Sequence, residues 1–368
     1  TKQKPWSLSG IVAAVRGNGR GGDCMAQVTL AVDGMGGDAG LTVTVPSVAQ
    51  LLAGHDNVRV LFVALQEPAE KALAAAGLQN HPRLELVPAT EVVTMDDPVA
   101  VALRNKKQSS MRIAINQVRE GRAQAAVSAG NTGALMAVSR FVLKTLPGIE
   151  RPAICAPIPT RKGQCHMLDL GANVDSEPQH LLQFAIMGSA LVRAVDRIEK
   201  PRVALLNIGE EDIKGNEQIK EAARLLEHHP LLNYVGFVEG NGIFSGDVDV
   251  VVSDGFVGNV ALKTMEGVAS MIGHMIREEI SSSWLNKLSG ILALPVLRGL
   301  KQRLDPQRYN GASLVGLNGI VVKSHGGADV NGFVSALRVA IHEAERNVPA
   351  LIGAGLAQSP VVEAGENK

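Results

Sequence analysis

Several loops rich in glycine, asparagine and aspartate hold the side chains of this chain that could do chemistry. One of them, Ser128-Ala-Gly-Asn-Thr-Gly133, joins a buried apolar run to a helical pattern and offers the short polar side chains Ser128, Asn131 and Thr132. Backbone N–H groups at such a helix start carry the positive end of the helix dipole, so the loop predicts an anion site with phosphate as the natural ligand. Ordinary helix capping, which would need one of these residues, is the alternative interpretation.

The loop Asp33-Gly-Met-Gly-Gly-Asp38 follows the first apolar run and adds Asp33, Gly36 and Gly37 as candidate phosphate-binding residues. Gly34-x-Gly36-x-x-Ala39 loosely matches a dinucleotide fingerprint. We expect no helix to open at Ala39, however, because Leu41-Thr-Val-Thr-Val-Pro46 intervenes, so the match is weak evidence for nicotinamide binding. A glycine turn that serves sheet packing is the simpler interpretation.

Two further loops offer groups suited to acyl or phosphoryl chemistry. Asn173 could donate to a developing oxyanion, and Lys214 could neutralise a phosphate. Asp175 is a candidate ligand as well, although a solvated loop carboxylate is at least as plausible for Asp175 and Glu211.

Loops near the C-terminal third contribute the remaining candidates. Ser253-Asp-Gly-Phe-Val-Gly-Asn259 precedes a long helical pattern, with Asn259 as a phosphate ligand and Lys263 inside the helix. Lys323-Ser-His-Gly-Gly327 brings together a cation, a hydroxyl and an imidazole, so Lys323 and Ser324 are candidate ligands and His325 a candidate acid. A packing or capping role for the histidine is equally open.

Composition and missing motifs exclude several classes of protein. The 36 basic and 36 acidic side chains cancel, so no overall field favours nucleic acid. The chain has no Gly-x-Ser-x-Gly, no Gly-x4-Gly-Lys-Ser/Thr, no His-Glu-x-x-His and no Cys-x-x-Cys motif, which disfavours a serine hydrolase, a nucleotide kinase or a zinc site. Three sparse cysteines indicate a reducing, cytoplasmic setting. We predict no cofactor and no metal.

Short β-branched runs that alternate with longer helical patterns must position these loops. The predicted strands are Val28–Val32, Val58–Leu65, Leu84–Val87, Ala123–Ser128, Met167–Leu170, Val203–Ile208, Tyr234–Val238, Val248–Ser253 and Ile320–Lys323. The predicted helices are Arg112–Glu120, Gly133–Leu146, Glu177–Ile198, Asn216–His228, Asn259–Ile280 and Val330–Arg346. This order predicts a three-layer α/β/α fold with a mostly parallel sheet.

We expect one domain over residues 25–350, preceded by an upstream segment at 1–24 and followed by a C-terminal tail at 351–368. Residues 281–308 break the alternation and read as a protruding helical excursion. No apolar run approaches the roughly 20 residues of a membrane-spanning helix. The excursion nevertheless carries Leu288, Ile291, Leu292, Leu294 and Leu297 beside several cations, which suits contact with an anionic membrane; packing against a second subunit is the alternative.

The loops together resemble the bacterial phosphate acyltransferase family, the PlsX-type acyl-acyl-carrier-protein:phosphate transacylases of phospholipid synthesis. The matching segments lie in order at 33–38, 109–112, 128–136, 148–153, 169–175, 183–189, 205–211, 254–267 and 323–326. The resemblance implies a fold like that of phosphotransacetylases and isocitrate dehydrogenases, in a homodimer without a redox cofactor. It also implies transfer of a long acyl chain from acyl carrier protein to inorganic phosphate.

For that reaction we expect Asn173, Lys214, Lys263 and His325 to be catalytic. The tract from Arg104 to Arg112 is either a solvated face or a dock for an acidic partner, and acyl carrier protein would meet Arg104, Lys106, Lys107 and Arg112 there. We expect a cytoplasmic protein that associates reversibly with the inner face of the membrane. The alternatives are a related enzyme that uses acyl-coenzyme A, a nicotinamide-dependent dehydrogenase, and a membrane-bound scaffold whose glycine loops are structural.

Overall fold

The computed structural model describes residues 27–287 and 309–357, together with the single positions 289, 293, 295, 296 and 299. Eleven strands form one sheet in the order β3-β2-β1-β4-β11-β10-β5-β6-β9-β7-β8. The strands are β1 Val28–Asp33, β2 Val58–Leu65, β3 Leu84–Ala89, β4 Ala125–Ser128, β5 Ala153–Thr160, β6 Gly163–Leu168, β7 Arg202–Leu206, β8 Asn233–Val238, β9 Val250–Val252, β10 Ala312–Val315 and β11 Ile320–Lys323.

Helices cover both faces of this sheet. In the described part of the chain they are α1 Leu41–Gly54, α2 Gln66–Ala75, α3 Val99–Arg104, α4 Ser110–Arg119, α5 Thr132–Leu143, α6 Pro178–Val195, α7 Glu217–Glu227, α8 Gly255–Ser281, α9 Val330–Arg346 and α10 Val348–Ala357. Helices α4, α5 and α8 pack on one face, where Met136 of α5 contacts the cores of both halves of the sheet. The other face is covered by α1, α6, α7, α9 and α10. The predicted α/β fold with a mostly parallel sheet is therefore confirmed.

The strands run in two opposite directions, which the sequence did not predict. β3, β2, β1, β4 and β11 are mutually parallel, but β10 is antiparallel to both β11 and β5, and β5 is antiparallel to β6. β6, β9, β7 and β8 are parallel to one another and so run opposite to the first group. The predicted loops therefore form two groups at opposite edges of the sheet. The first loop cluster is 33–40, 128–133 and 323–329, and the second is 169–177, 207–216 and 253–259.

Strand β5 was missed because it contains Pro157 and Pro159, residues that are rare inside sheets. The ladder from β10 reaches β5 only at residues 153–155, so both prolines lie beyond it and face β6 alone. Strand β10, also missed, has four residues.

The expectation that the run Leu41–Pro46 keeps a helix from following the loop at Ala39 is wrong. Helix α1 begins at Leu41, and its run of threonine and valine is helical although β-branched residues favour strands. Two hydroxyls explain this: that of Thr42 donates to the Ala39 carbonyl at 2.7 Å and that of Thr44 to the Gly34 carbonyl at 2.8 Å. Val45 and Val48 are buried in the core, so tertiary packing overrides propensity.

The structure describes only part of the two ends of the chain and of the predicted excursion at 281–308. Helix α10 extends into the predicted tail and packs Val348 and Ile352 against α6, so its first residues belong to the core. The segment 1–24 and the predicted membrane contacts Leu288, Ile291, Leu292, Leu294 and Leu297 lie outside the described residues. Among the helices that are described, none combines the length and apolarity needed to cross a bilayer.

Candidate active site

The three loops of the first loop cluster are joined to one another by backbone hydrogen bonds. The amide of Asp38 donates to the Gly326 carbonyl at 3.0 Å, and the amide of Ser324 donates to the Ser128 carbonyl at 2.9 Å. The parallel strands β1, β4 and β11 end side by side, which brings these loops together. The structure therefore gathers most of the predicted phosphate-binding residues in one place.

Gly36 and Gly37 allow the loops to approach this closely. A Cβ atom at Gly36 would lie 2.8 Å from both the Asp33 carboxylate and the Gly130 amide. A Cβ at Gly37, where φ is +88°, would lie 2.9 Å from the Cβ of Ala129 and 3.0 Å from the Gly326 carbonyl. The space beside these glycines is filled by the chain itself, which supports the packing interpretation over a dinucleotide loop.

Asp33 is a buried carboxylate that organises the cluster. It accepts a hydrogen bond from the Ser128 hydroxyl at 2.7 Å, and that hydroxyl in turn accepts from the Gly130 amide at 3.0 Å. Burial raises the pKa of Asp33, while hydrogen bonds from Ser110 and Ser128 oppose the shift. Asp33 and Ser128 thus hold the loops in place, and their polar atoms are engaged within the chain.

Helix α5 points its N-terminus into the first loop cluster. Asn131 caps this helix by accepting from the Ala134 amide at 2.9 Å, and its Nδ2 donates to the Met95 carbonyl at 2.6 Å. Thr132, the first helical residue, is exposed. The N–H groups of the first turn and the Thr132 hydroxyl are therefore positioned to meet an anion.

Lys323 places a buried cation at the end of β11. Its Nζ donates to the Ala129 carbonyl at 3.3 Å and also to the carbonyl of Ser324. Burial, and after it the positive charge of Lys263, lowers the pKa of Lys323 to about 8, while Asp38 and Asp33 act in the opposite direction. A buried lysine with a lowered pKa is typical of functional sites.

His325 and Ser324 are oriented by Asn310, a residue that the sequence reasoning missed. Asn310 Nδ2 donates to the Ser324 hydroxyl at 2.8 Å, and its Oδ1 accepts from the His325 amide at 2.9 Å. His325 Nδ1 accepts from the Gly327 amide at 3.1 Å, so a neutral ring carries its proton on Nε2. Asn310 precedes Gly311 and belongs to no recognisable motif, so the sequence offered no signal that could have identified it.

Lys263 connects the second half of the sheet to the first loop cluster. It belongs to α8, which begins in the second loop cluster, yet its charge is felt at Lys323. Its ammonium group is exposed and pairs with Glu266 at 2.8 Å. Lys323, whose Nζ donates to the Ala129 carbonyl just before α5, therefore lies within electrostatic range of a cation from the other half of the sheet.

In the second loop cluster, Asn173 and Asp169 hold the backbone. Asn173 Nδ2 donates to the Pro152 carbonyl at 2.8 Å and to the Asp169 carboxylate at 2.9 Å. That carboxylate also accepts from the amides of Ile154, Ala172 and Asn173, while burial raises its pKa. Because both Nδ2 hydrogens are engaged, the amide supports the loop rather than presenting a free donor.

The other predicted residues of the second loop cluster are exposed. Lys214 lies in the loop after β7, Asp175 in the loop after β6, and Asn259 in the second turn of α8. A cavity of about 600 Å³ opens nearby, lined by Glu210, Glu211, Glu239 and Arg161 among others. Its three carboxylates would repel phosphate, so the first loop cluster is the better anion site. Among the described residues, no group of three or more His, Cys, Asp or Glu side chains could hold a metal ion.

Only some side chains of the predicted docking patch are available to a partner. Arg104 and Lys107 are exposed, but Lys106 pairs with Asp97 and donates to the Val92 carbonyl at 2.7 Å. Arg112 donates to the Leu103 carbonyl and lies 5.1 Å from the centre of the exposed Phe141 ring, with Lys144 4.8 Å from the same ring. The free part of this surface therefore combines cations with an aromatic ring.

Residues 28–351 match the protein family described as "Fatty acid synthesis protein". A "Phosphate acyltransferase" of Alcanivorax borkumensis is 72% identical over 334 residues, which cover 91% of this chain and 99% of the relative. Another of the same name from Legionella pneumophila strain Paris is 54% identical over 328 residues, or 89% of this chain and 96% of the relative. The chain belongs to this phosphate acyltransferase family. The predicted resemblance and the predicted class of enzyme are confirmed.

Solved structures of distant proteins share the fold of this family member. A phosphotransacetylase from Streptococcus pyogenes superposes with a TM-score of 0.59 at 16% identity and covers 92% of this chain and 99% of its own. The EutD phosphotransacetylase from Staphylococcus aureus gives 0.57 at 17% identity, covering 88% and 96%. The predicted phosphotransacetylase-like fold is thereby confirmed.

Proposed function

We propose that the chain transfers a long fatty acyl group from the thioester of acyl carrier protein to inorganic phosphate and releases acyl phosphate for phospholipid synthesis. The observation that carries this proposal is the placement of the Lys323 ammonium group at the Ala129 carbonyl, beside the exposed N-terminus of α5, with the charge of Lys263 near enough to lower its pKa. Such an arrangement suits a small, doubly charged anion. The family description and the names of the relatives support an acyl transfer to phosphate.

Phosphate is itself the nucleophile in this mechanism. One phosphate oxygen attacks the thioester carbonyl carbon, the tetrahedral oxyanion collapses, and the carbon–sulfur bond breaks to release the carrier thiolate. The chain must hold phosphate in line and stabilise the negative charge, which positioned N–H groups and ammonium groups do well. We assign phosphate to Thr132, the first turn of α5 and Lys323, and the oxyanion to Lys263.

His325 is positioned to assist the leaving group. Its Nδ1 is occupied by the Gly327 amide, which leaves Nε2–H as the donor toward a departing thiolate. A thiolate leaves readily, so this donor contributes less than the cations do. Asn310 and Ser324 act by positioning this loop.

Carrier protein is acidic, and we place its docking on Arg104, Lys107, Arg112, Lys144 and Phe141. Acidic partners are steered by local basic clusters even where net charge is zero. The half-buried, ion-paired Lys106 contributes less than the sequence suggested. Coenzyme A remains the alternative acyl carrier.

A homodimer is part of the proposal. The C-terminal half of α8 exposes Val268, Met271, Ile272 and Met275, spaced so that they form one apolar face. A second copy of the chain would bury that face. Reversible membrane contact through the residues between 288 and 297 stays a prediction.

The test is direct formation of acyl phosphate by the purified chain from hexadecanoyl carrier protein and inorganic phosphate. We expect thiol release to require phosphate and to match acyl phosphate formation one for one. A parallel assay with hexadecanoyl-coenzyme A separates the two carriers. Thiol release that is independent of phosphate, or no release from either thioester, would contradict the proposal.

A further inference from the structure

The second loop cluster exposes large apolar side chains on three neighbouring loops. Val174 follows β6, Ile208 and Ile213 follow β7, and Phe256, Val257 and Val260 follow β9 on the first turns of α8. We call these six residues the apolar rim. Single exposed apolar residues are normal on protein surfaces, but side chains from adjacent strands at one edge are a different case, because contiguous exposed patches mark binding sites.

Hydrogen bonds and strand register place the members of the apolar rim side by side. The Gly255 amide donates to the Asn173 carbonyl at 2.9 Å, so Val174 and Phe256 each adjoin a residue of this bonded pair. Leu205 of β7 pairs with Val252 of β9, and Ile208 and Gly255 each lie three residues further along. Val174, Ile208 and Phe256 therefore follow the ends of neighbouring strands, while the exposed acids Glu210, Glu211 and Asp212 stand between Ile208 and Ile213.

Helix α8 leads from the apolar rim to the cation of the proposed active site. Phe256, Val260 and Lys263 are spaced by four and three residues, which places them on one face of the helix. Phe256 and Lys263 are seven residues apart, or about 10 Å along the axis. A molecule with a charged reacting end at Lys263 would meet apolar side chains along the next two turns.

Along the axis of α8, the Lys263–Glu266 ion pair lies between the rim residues of this helix and the apolar residues assigned to the dimer. Val257 and Val260 precede the pair, whereas Val268, Met271 and Ile272 follow it. The two apolar parts of α8 thus have different surroundings. One adjoins the loops that end β6, β7 and β9, and the other continues along the helix.

We infer that the apolar rim binds the hydrocarbon chain of the acyl substrate, with the thioester carbonyl at Lys263 and the chain directed along α8 toward Phe256 and Ile208. The inference rests on the proposed function, because it assumes that the acyl group reacts beside Lys263. It adds a chain-length determinant that lies apart from the phosphate loops. A long chain gains free energy by leaving water against the rim, whereas a short acyl group does not reach it.

The test compares two acyl lengths on one carrier, hexadecanoyl and butyryl, in the full-length protein with saturating phosphate. The variant is the double substitution Phe256→Ala and Val260→Ala. Both side chains are exposed, 62% and 51% respectively, so their truncation leaves the core intact. Removing apolar groups that cover part of a substrate typically costs about tenfold in kcat/KM for each side chain, so we expect a loss of about a hundredfold for hexadecanoyl with little change for butyryl.

The matched control is Phe244→Ala with Val235→Ala. Val235 lies on β8 and Phe244 in the turn Gly242–Phe244, and they are 46% and 37% exposed. We expect this control to keep the wild-type ratio of the two kcat/KM values. A ratio that falls in the rim variant alone supports the inference.

Two results would overturn the inference while leaving the proposed function standing. One is an unchanged ratio in the rim variant when the wild type uses both thioesters. The other is an equal loss for both lengths together with a smaller sedimentation mass, which would assign the rim to a second copy of the chain. Failure of the wild type to release thiol from either thioester in phosphate would instead refute the proposed function, and the inference with it.

Discussion

The first and second loop clusters differ in what they do with their polar side chains. In the first, the buried Asp33 and Lys323 are held by neighbouring loops, and the exposed groups are the start of α5, Thr132 and His325. In the second, the side chains of Asp169 and Asn173 hold the backbone, and the exposed surface mixes apolar side chains with carboxylates and Lys214. The first edge therefore presents a helix N-terminus beside buried charged groups, and the second presents the apolar rim among charged side chains, where α8 begins.

The reversal of strand direction at β10, β5 and β6 creates this division. Had the whole sheet been parallel, all the glycine-rich loops would lie at one edge, and Asn173 and Lys214 would adjoin Lys323. Instead, Lys263 is the residue of the second half whose charge reaches the buried lysine of the first. Substitutions can disrupt one loop cluster while leaving the other unchanged.

The largest effect is expected at the buried cation of the first loop cluster. Lys323→Met removes the buried ammonium group of the site, so we expect turnover to fall by about 10²–10³-fold, the scale for losing one charge-stabilising donor. Steady-state rates of phosphate-dependent thiol release measure this. The matched control is Lys71→Met on α2, exposed and paired with Glu67, for which rates should stay at the wild-type level. Near-normal turnover in Lys323→Met would remove the lysine from the site.

The buried residue Glu343 allows a test of how the protein interior, away from both clusters, responds to pH. This buried carboxyl is hydrogen-bonded by Ser313, and burial raises its pKa from 4.5 to about 7. A folded-state pKa above the unfolded value means that the native state holds the proton more tightly. The free energy of unfolding should therefore fall as pH rises from 4.5 through 7, by about 3 kcal/mol in all from this group.

Glu343→Gln keeps the shape and a hydrogen-bond acceptor but has no proton to lose. We expect the variant to be more stable than the wild type at pH 8 and to lose this part of the pH dependence. Denaturant unfolding at pH 5 and pH 8 gives both quantities. The same slope in both proteins would show that Glu343 does not titrate in this range.

Substitution of Asn173 tests the hydrogen bonds that hold the second loop cluster. Asn173→Ala leaves the buried Pro152 carbonyl and Asp169 carboxylate short of a donor, which costs about 1–3 kcal/mol of stability. Val174→Ser, at the next residue but exposed, is the control and should unfold like the wild type. If Asn173→Ala instead lowers turnover about a hundredfold with unchanged stability, the amide acts on the oxyanion, as the sequence suggested.

The smallest effect is expected at the docking surface. Lys107→Glu together with Arg104→Glu should raise KM for carrier-protein thioesters by about three- to fivefold at low salt, since exposed charges contribute modestly and are screened. KM for a small thioester should not change. An equal rise for both substrates would mean that these residues serve folding or phosphate binding rather than docking.

Much of the fold could be predicted from periodicity. β2 and β11 and helix α9 were predicted with the bounds that the structure shows, because each is a continuous buried run or an amphipathic pattern with clear ends. The direction of the strands could not be predicted. It depends on β5, which two prolines disguise, and on β10, which has only four residues to show a pattern.

The candidate site was predicted in its residue types but not in their use. Glycine loops after strands identified Ser128, Lys323 and His325 as candidates, and the structure brings the ends of their strands together. That Asn173 would donate to a carbonyl 21 residues earlier, or that Asn310 would hold His325, depends on tertiary contacts that leave no local pattern. Chemistry-bearing residue types can be found in a sequence more readily than their hydrogen-bond partners.

The central claim is that Lys263 and Lys323, which come from opposite halves of the sheet, serve one active site, with Lys323 at the phosphate and Lys263 at the oxyanion. The most direct test is the alkaline limb of the pH–rate profile in the wild type, Lys263→Gln and Lys263→Arg, at saturating phosphate. Because the charge of Lys263 lowers the pKa of Lys323, which lies at about 8, its removal should move the limb to higher pH, and arginine should restore it. If the alkaline limb of Lys263→Gln lies at the same pH as that of the wild type, the claim is contradicted. The two lysines would then act independently of each other.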